Sequence, residues 1–245
     1  VAPKFYFISG SGNKKSFSKK NLLAISNSLK QEQKKYNISL CGGDTIFSNK
    51  LSFSITSVGY SKNIIYRNKA KINDDIYVTG DIGDSYVGLQ ILKNKLKLKN
   101  KDNNYFINKY YHPDIQISLT KKLLKFANTS IDISDGLIAD LDKMINNLNL
   151  SYQIYEDKIP ISKYLSKLLM NNKFKKSKLI SNGDDYQILF TANERKSRII
   201  QKTSRILGIK ITKIGKIISG NKKSSVLDQK SKQILIKNKG YIHRF

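Results

Sequence analysis

Apolar residues along the chain recur at two spacings, about every second residue and about every third or fourth, and the two alternate. The run Lys4-Phe5-Tyr6-Phe7-Ile8-Ser9 reads as a strand, and residues 10–15 as a loop. Ser18 is placed to cap a helix over 19–36, with Leu22, Leu23, Ile25, Ser26 and Leu29 on its inner face. A short strand over 38–41 leads into Gly42-Gly43-Asp44-Thr45. Leu51, Phe53 and Ile55 then alternate with Ser52, Ser54 and Thr56, the pattern of a half-exposed strand. Residues 61–73 are polar and basic and mark a domain boundary. Beyond them the pattern predicts a strand over 75–79, a turn at 80–85 and a helix to about 95. Helices follow over 105–111 and 113–128, and then a buried strand ending at 130–133. Leu137, Ile138, Leu141, Met144, Ile145 and Leu148 give the next helix, with Ser134 or Asp135 as its cap. A strand at 151–155, a helix at 160–170, a strand at 187–192, a helix capped by Asn193 through 207, and strands at 211–218 and 233–236 complete the chain. This alternation predicts an α/β protein.

Four segments beside predicted strands read as Gly/Asp turns: Gly42-Gly43-Asp44-Thr45, Gly80-Asp81-Ile82-Gly83-Asp84, Ser134-Asp135-Gly136 and Gly183-Asp184-Asp185. Glycine lets backbone approach a polyphosphate, and Asp supplies hard oxygen for Mg²⁺. Singly, each is also ordinary turn chemistry. Asp132 and Asp135 fall where a strand hands over to a helix, whose N-terminal N–H groups suit phosphate. Carboxylates beside a phosphate call for a cation between them. Gly88, inside a predicted helix, is either tolerated at about 1 kcal/mol or marks close packing. No Walker A loop, kinase glycine-rich loop or His/Cys metal set is present. His112 and His243 are isolated, and Cys41 reads as a core residue rather than a nucleophile, which disfavours a Ser-His-Asp or Cys hydrolase.

The formal charge of +27 raises a basic nucleic-acid-binding module as an alternative. However, only five basic residues are Arg (Arg67, Arg195, Arg198, Arg205 and Arg244), and the Lys residues are spread among Asn and Ile, as an AT-rich coding sequence would give. No specific nucleic-acid partner is expected. A single Cys fits a reducing compartment. No apolar run approaches the ~18–20 residues of a membrane span and no signal peptide is visible, so a cytoplasmic location with no membrane partner is expected.

Taken together, the motifs resemble those of thiamine-monophosphate kinases, in the aminoimidazole ribonucleotide synthetase-like superfamily. The resemblance runs the length of the chain. It rests on Gly42-Gly43-Asp44-Thr45, Ala70-Lys71 through Gly80, Gly83-Asp84-Ser85 with Gly88-Leu89, Asp132-Ile133-Ser134-Asp135-Gly136-Leu137 with Asp140-Leu141, Gly183-Asp184-Asp185-Tyr186, and the terminal Lys239-Gly240-Tyr241 with His243 and Phe245. It implies a two-domain layered α/β fold with the N-terminal domain incomplete. Residues 1–68 would be the remainder of an ATP- and metal-binding, dimer-forming domain, and 69–245 a C-terminal α/β domain. The implied reaction is ATP- and Mg²⁺-dependent phosphorylation of thiamine monophosphate to thiamine diphosphate by direct in-line transfer, without a general base. Gly43, Asp44, Arg67 and Ser134 would meet ATP, and Asp44, Asp132 and Asp135 the metal. Asp184 stands where the family has a Glu on the thiamine moiety, with Asn182 for the family's first Gly, expected to be left-handed, and Gln187 for its second Glu. Phe245, or else Tyr241, would be the terminal aromatic against substrate. A homodimer through the N-terminal domain is implied. The family carries further Asp residues ahead of the point matching Val1, so the chain is expected to be a fragment lacking several ligands and poorly active by itself. Another ATP-using enzyme of the superfamily is the nearest alternative, and the Asp-Ile-Ser-Asp-Gly-Leu run argues against it.

Overall fold

The computed structural model describes residues 2–171 and 174–241. They form two compact units, Val1–Ile64 and Ile65–Phe245.

In the first unit, strand β1 (Ala2–Gly12) lies between β2 (Ser39–Phe47) and β3 (Ser52–Tyr60). Helix α1 (Lys19–Tyr36) connects β1 to β2, which run parallel, while β3 is antiparallel to β1. β1 therefore continues through residues expected to form a loop. Gly42-Gly43-Asp44-Thr45 is likewise not a turn. It continues β2, with Gly43 opposite Ile8 and Asp44 opposite Ser9. The reason is steric: a Cβ on Gly43 would lie 1.7 Å from the Ile8 carbonyl oxygen, so glycine is what lets the strands close. Cys41 is exposed on this strand and is not a core residue. The expected inner face of α1 is not buried either, since Leu22 and Leu23 are about half exposed. Tyr6 is the single buried apolar side chain among the described residues of this unit.

The second unit holds a seven-stranded sheet in the order β10-β9-β6-β8-β4-β7-β5. Its strands are β4 (Asp75–Thr79), β5 (Ala127–Asp132), β6 (Leu150–Tyr155), β7 (Ile188–Ala192), β8 (Ile211–Ser219), β9 (Ser225–Leu227) and β10 (Gln233–Ile234). Every pair is antiparallel except β6 with β9. β4 is buried throughout and pairs with β8 on one side and β7 on the other. Its alternation divides the core. Ile76 and Val78 face helix α5 (Leu137–Ile145), where Leu137, Ile138, Leu141 and Met144 pack with Tyr152, Ile154, Ile214 and Ile217. Tyr77 faces the other way and stacks on Phe190 at 5.2 Å, beneath α4 (Ile117–Leu123) and α8 (Ser197–Leu207). Each fully buried aliphatic side chain contributes about 1.5–3 kcal/mol, so α5 is held by its inner stripe rather than by its nine-residue length.

A third cluster joins α2 (Asp84–Leu92), α3 (Asn100–Tyr111), α6 (Lys163–Met170) and α7 (Lys176–Leu179). Here Gly88 is required, because a Cβ would come 2.2 Å from the Phe106 carbonyl oxygen. The helix expected over 113–128 shrinks to α4, since residues 127–132 pair with β7. β5 is an edge strand, not a buried one, and Thr129 is its one buried residue. α7 and β9 have too few residues to leave a periodic signal and were not expected.

Candidate active site

Two of the acidic turns are joined backbone to backbone. β5 ends at Asp132 and β7 begins at Ile188. Between them the Asp184 N–H donates to the Ser134 carbonyl at 3.0 Å, the Tyr186 N–H to the Ile133 carbonyl at 2.9 Å, and the Ile133 N–H to the Gln187 carbonyl at 2.9 Å. Gly183 makes the approach possible: a Cβ there would stand 1.8 Å from the Ser134 oxygen. Asp184 and Tyr186 take left-handed backbone, with φ of 69° and 50°. Asn182, expected to do so, does not have positive φ, and its side-chain amide donates to the Lys178 carbonyl instead.

The joined turns collect negative charge. Burial, then the carboxylates of Asp184 and Asp132, the Tyr110 ring and Asp135, push the Tyr186 phenol up from its ordinary value. Burial followed by Asp135 raises the Asp184 carboxyl. Asp132 is exposed, and among the described residues no hydrogen bond or ion pair engages its carboxylate.

The N-terminus of α5 differs from expectation in a way that matters for chemistry. Gly136, with φ of 128°, is the cap, and neither Ser134 nor Asp135 caps through its side chain. Instead Asp140, fully buried, turns back and accepts the N–H groups of Ser134, Asp135 and Gly136 at 3.0, 3.1 and 3.2 Å. The Ala139 N–H donates to the Lys239 carbonyl at 2.9 Å. The helix thus carries its own anion, and these amides are not free for a phosphate. Lys143 donates to Asp140 at 2.7 Å and to Asp135 at 2.5 Å. The Tyr241 N–H donates to the Asp135 carbonyl at 2.9 Å, so the tail reaches the same turn. Phe245 lies outside the described residues.

Two further acids escaped the sequence reading of the site. Asp185 is buried and accepts the N–H groups of Gly83 at 2.8 Å and Ser85 at 3.4 Å, capping α2 from a distant turn. Burial pushes its carboxyl up to about 8. Asp84 accepts the Ser162 hydroxyl at 2.7 Å and the Tyr105 hydroxyl at 2.8 Å. Burial pushes it up to about 6. Both line a cavity of about 90 Å³ with Gln187, Lys109 and Lys210. Gln187 is itself buried and accepts the Thr79 hydroxyl at 2.7 Å. The available signal was the Gly/Asp pattern, read for ligands when its Asp185 serves as a cap and its Asp84 as a buried acceptor of hydroxyls.

Because burial raises Asp84 in the folded state, the folded chain holds that proton more tightly than the unfolded chain. Its contribution to stability is complete below the unfolded pKa of about 4 and is lost as pH rises through about 6. We expect the melting temperature to fall between about pH 4 and pH 6, and Asp84→Asn to make that fall shallower. Parallel pH profiles for the two proteins would show that Asp84 does not titrate there.

Of the other expected residues, Ser134 is half-buried in the joined turns and Arg67 is exposed. Gly43 and Asp44 lie on β2 in the other unit, with Asp44 exposed and its carboxylate accepting the Thr45 N–H at 2.7 Å. Among the described residues, no three acidic, His or Cys side chains group closely enough to hold a metal by themselves. The donor set is still of the kind Mg²⁺ uses. That ion is commonly held by one or two carboxylates, with water and substrate phosphate completing the shell, and Asp132 and Asp135 supply such oxygens.

The superposition of the chain on solved structures gives its mixed α/β fold as the aminoimidazole ribonucleotide synthetase-like one. The chain superposes on a solved structure, AaThiL complexed with AMPPCP and TMP, with a TM-score of 0.83 and 26% identity, covering 99% of this chain and 74% of that one. In sequence, the chain is similar to curated thiamine-monophosphate kinases. It is 37% identical over 214 residues to that of Buchnera aphidicola subsp. Acyrthosiphon pisum, covering 85% of this chain, and 28% identical over 247 residues to that of Bacillus subtilis, covering 98% of this chain and 75% of the relative. The chain spans 65% of the length of the Buchnera relative. No family model matches it.

Proposed function

We propose that the protein transfers the γ-phosphoryl group of ATP to thiamine monophosphate, giving thiamine diphosphate. The observation that carries this reading is the joining of the Asp132–Gly136 and Gly183–Tyr186 turns, which sets a metal-type carboxylate turn against the turn expected to read substrate. The kinase names of its relatives and the AMPPCP and TMP in the superposed structure support it. The nucleophile is a phosphate oxygen of thiamine monophosphate, already anionic near neutral pH, so no general base is required. The barrier is repulsion between two anions, and catalysis consists of positioning and charge compensation. Asp132 and Asp135 would hold Mg²⁺, which when bound supplies positive charge between the phosphates, and Asp44, on β2 of the first unit, would itself be a metal ligand. Ser134 and Arg67 would contact the nucleotide, and Gly43, on β2 of the first unit, would itself be a nucleotide-binding residue. Asp184, half-buried beside Tyr186, presents a carboxylate to the cationic thiazolium ring of the substrate. Tyr241 or Phe245 would close against it.

The remaining parts of the reading are residues 1–68 as an ATP-binding and dimer-forming domain, 69–245 as the C-terminal domain, and a cytoplasmic homodimer. Exposed Phe7, Leu40, Phe53 and Ile55 on the first sheet supply apolar surface for pairing. Among the described residues, no helix is long and apolar enough to cross a membrane.

The test is thiamine diphosphate formation from ATP and thiamine monophosphate, measured with Asp184 varied. Asp184→Ala should raise the KM for thiamine monophosphate about tenfold with kcat little changed, and Asp184→Glu should keep it low. An unchanged KM in Asp184→Ala would reduce this turn to a structural part.

A further inference from the structure

Lys143 carries an inference that rests on reading Asp135 as a metal carboxylate. Its ammonium touches two acids at once, Asp140 at 2.7 Å and Asp135 at 2.5 Å. The two acids are held very differently. Asp140 is fully buried, and its other oxygen is committed to the three amides of the Ser134–Gly136 turn. That grip owes nothing to the Asp135 side chain. Asp135 is 27% exposed, and its side chain has no partner other than Lys143 among the described hydrogen bonds and ion pairs. Lys143 is 39% exposed, on a flexible stem three residues after Asp140 in the same helix. It can therefore release Asp135 while keeping Asp140, without moving backbone. Among the described residues, Asp132 and Asp184, which act with Asp135 on the Tyr186 phenol, make no ion pair, and the Lys93 ammonium acts on Asp184 only from a distance.

We infer that Lys143 is a positioning residue that competes with a divalent cation for Asp135. In the metal-free site its ammonium screens Asp135 from the neighbouring carboxylates. When the cation arrives, Lys143 withdraws onto Asp140, which keeps the turn's backbone in place. The resident ammonium thus weakens intrinsic metal affinity, so a tightly held cation requires the phosphates that come with substrate.

The experiment titrates the protein, without nucleotide, with Mn²⁺ and reads free Mn²⁺ by electron paramagnetic resonance. Lys143→Met should bind Mn²⁺ about fivefold more tightly than the unaltered protein, the size of a partly exposed ion pair removed. Lys143→Arg, which keeps the charge, should bind as the unaltered protein does. Asp135→Asn should bind more weakly. Should Asp135→Asn leave affinity unchanged, Asp135 is no metal ligand, and both that reading and this inference fall. Should Asp135→Asn weaken binding while Lys143→Met leaves it the same or weaker, Asp135 remains a ligand and the competition alone is overturned. Thermal melting checks each fold. Lys143→Gln, which keeps a donor for Asp140, replaces Lys143→Met if the latter unfolds, and unfolding of both would make Lys143 a structural residue and overturn the inference.

Discussion

Asp132→Asn should lower turnover at saturating Mg²⁺ by about 10²-fold or more while leaving the melting temperature unchanged. The second half of that expectation follows from where Asp132 sits. It ends an edge strand, its side chain is exposed, and no protein group is paired with it among the described residues. Making it neutral removes no contact of the fold. The first half follows from the reaction proposed. With two anions brought together, each hard oxygen that fixes a cation contributes at the transition state, and an amide in its place is a weaker ligand carrying no charge. A variant that melts normally and turns over normally would remove Asp132 from the site. One that loses both activity and stability would show that its role is in the fold.

The other large effect should come from Gly183→Ala. A methyl group there meets backbone, not a side chain that can swing away, with the Ser134 carbonyl oxygen 1.8 Å from the ideal Cβ and its carbon at 2.5 Å. The two turns must part, which strains or breaks the three hydrogen bonds that join them. At about 1 kcal/mol each, their loss gives roughly 3 kcal/mol, before any effect on Asp184. Gly208→Ala is the internal control. Gly208 ends α8 at φ 64° with nothing within 4 Å of its Cβ, so only the left-handed backbone is penalised, by about 1 kcal/mol. Urea unfolding of the two variants should separate them by about 2 kcal/mol. Equal losses would mean that the turns are not held together in solution as described.

The strands and helices that bury alternating or stripe-like apolar residues were legible in the sequence, and residues whose partners come from elsewhere were not. β4 and the inner stripe of α5 appear as written in the residue pattern, because burial in one sheet dictates both. The Gly42–Thr45 segment was misread because two glycines and an aspartate are turn residues by propensity, and the neighbouring β1 backbone that requires glycine is distant in sequence. The cap of α5 was misplaced for a related reason. Ser134 and Asp135 are good caps in isolation, but Asp140 is buried one turn later and takes the same amides. At the site, the acidic composition of the Ser134–Gly136 and Gly183–Asp185 turns was legible, while their joining was not. Which acids point toward a ligand and which inward, as Asp185 and Asp140 do, depends on burial that no local pattern encodes.

The position of β4 also bears on how the chain acquires its structure. It is the first strand of its sheet to be made, yet both its neighbours, β7 and β8, lie more than 100 residues downstream. No hairpin can shelter Ile76 and Val78 early. Closing loops of that size precedes the gain from pairing, which places this unit among slow, high-contact-order folders. During synthesis a strand that ends up buried along its whole length therefore waits unpaired until β7 has left the ribosome, and keeps one open edge until β8 has. Sheet formation should be largely post-translational, and dependence on holding chaperones should be greatest for chains halted between β4 and β8.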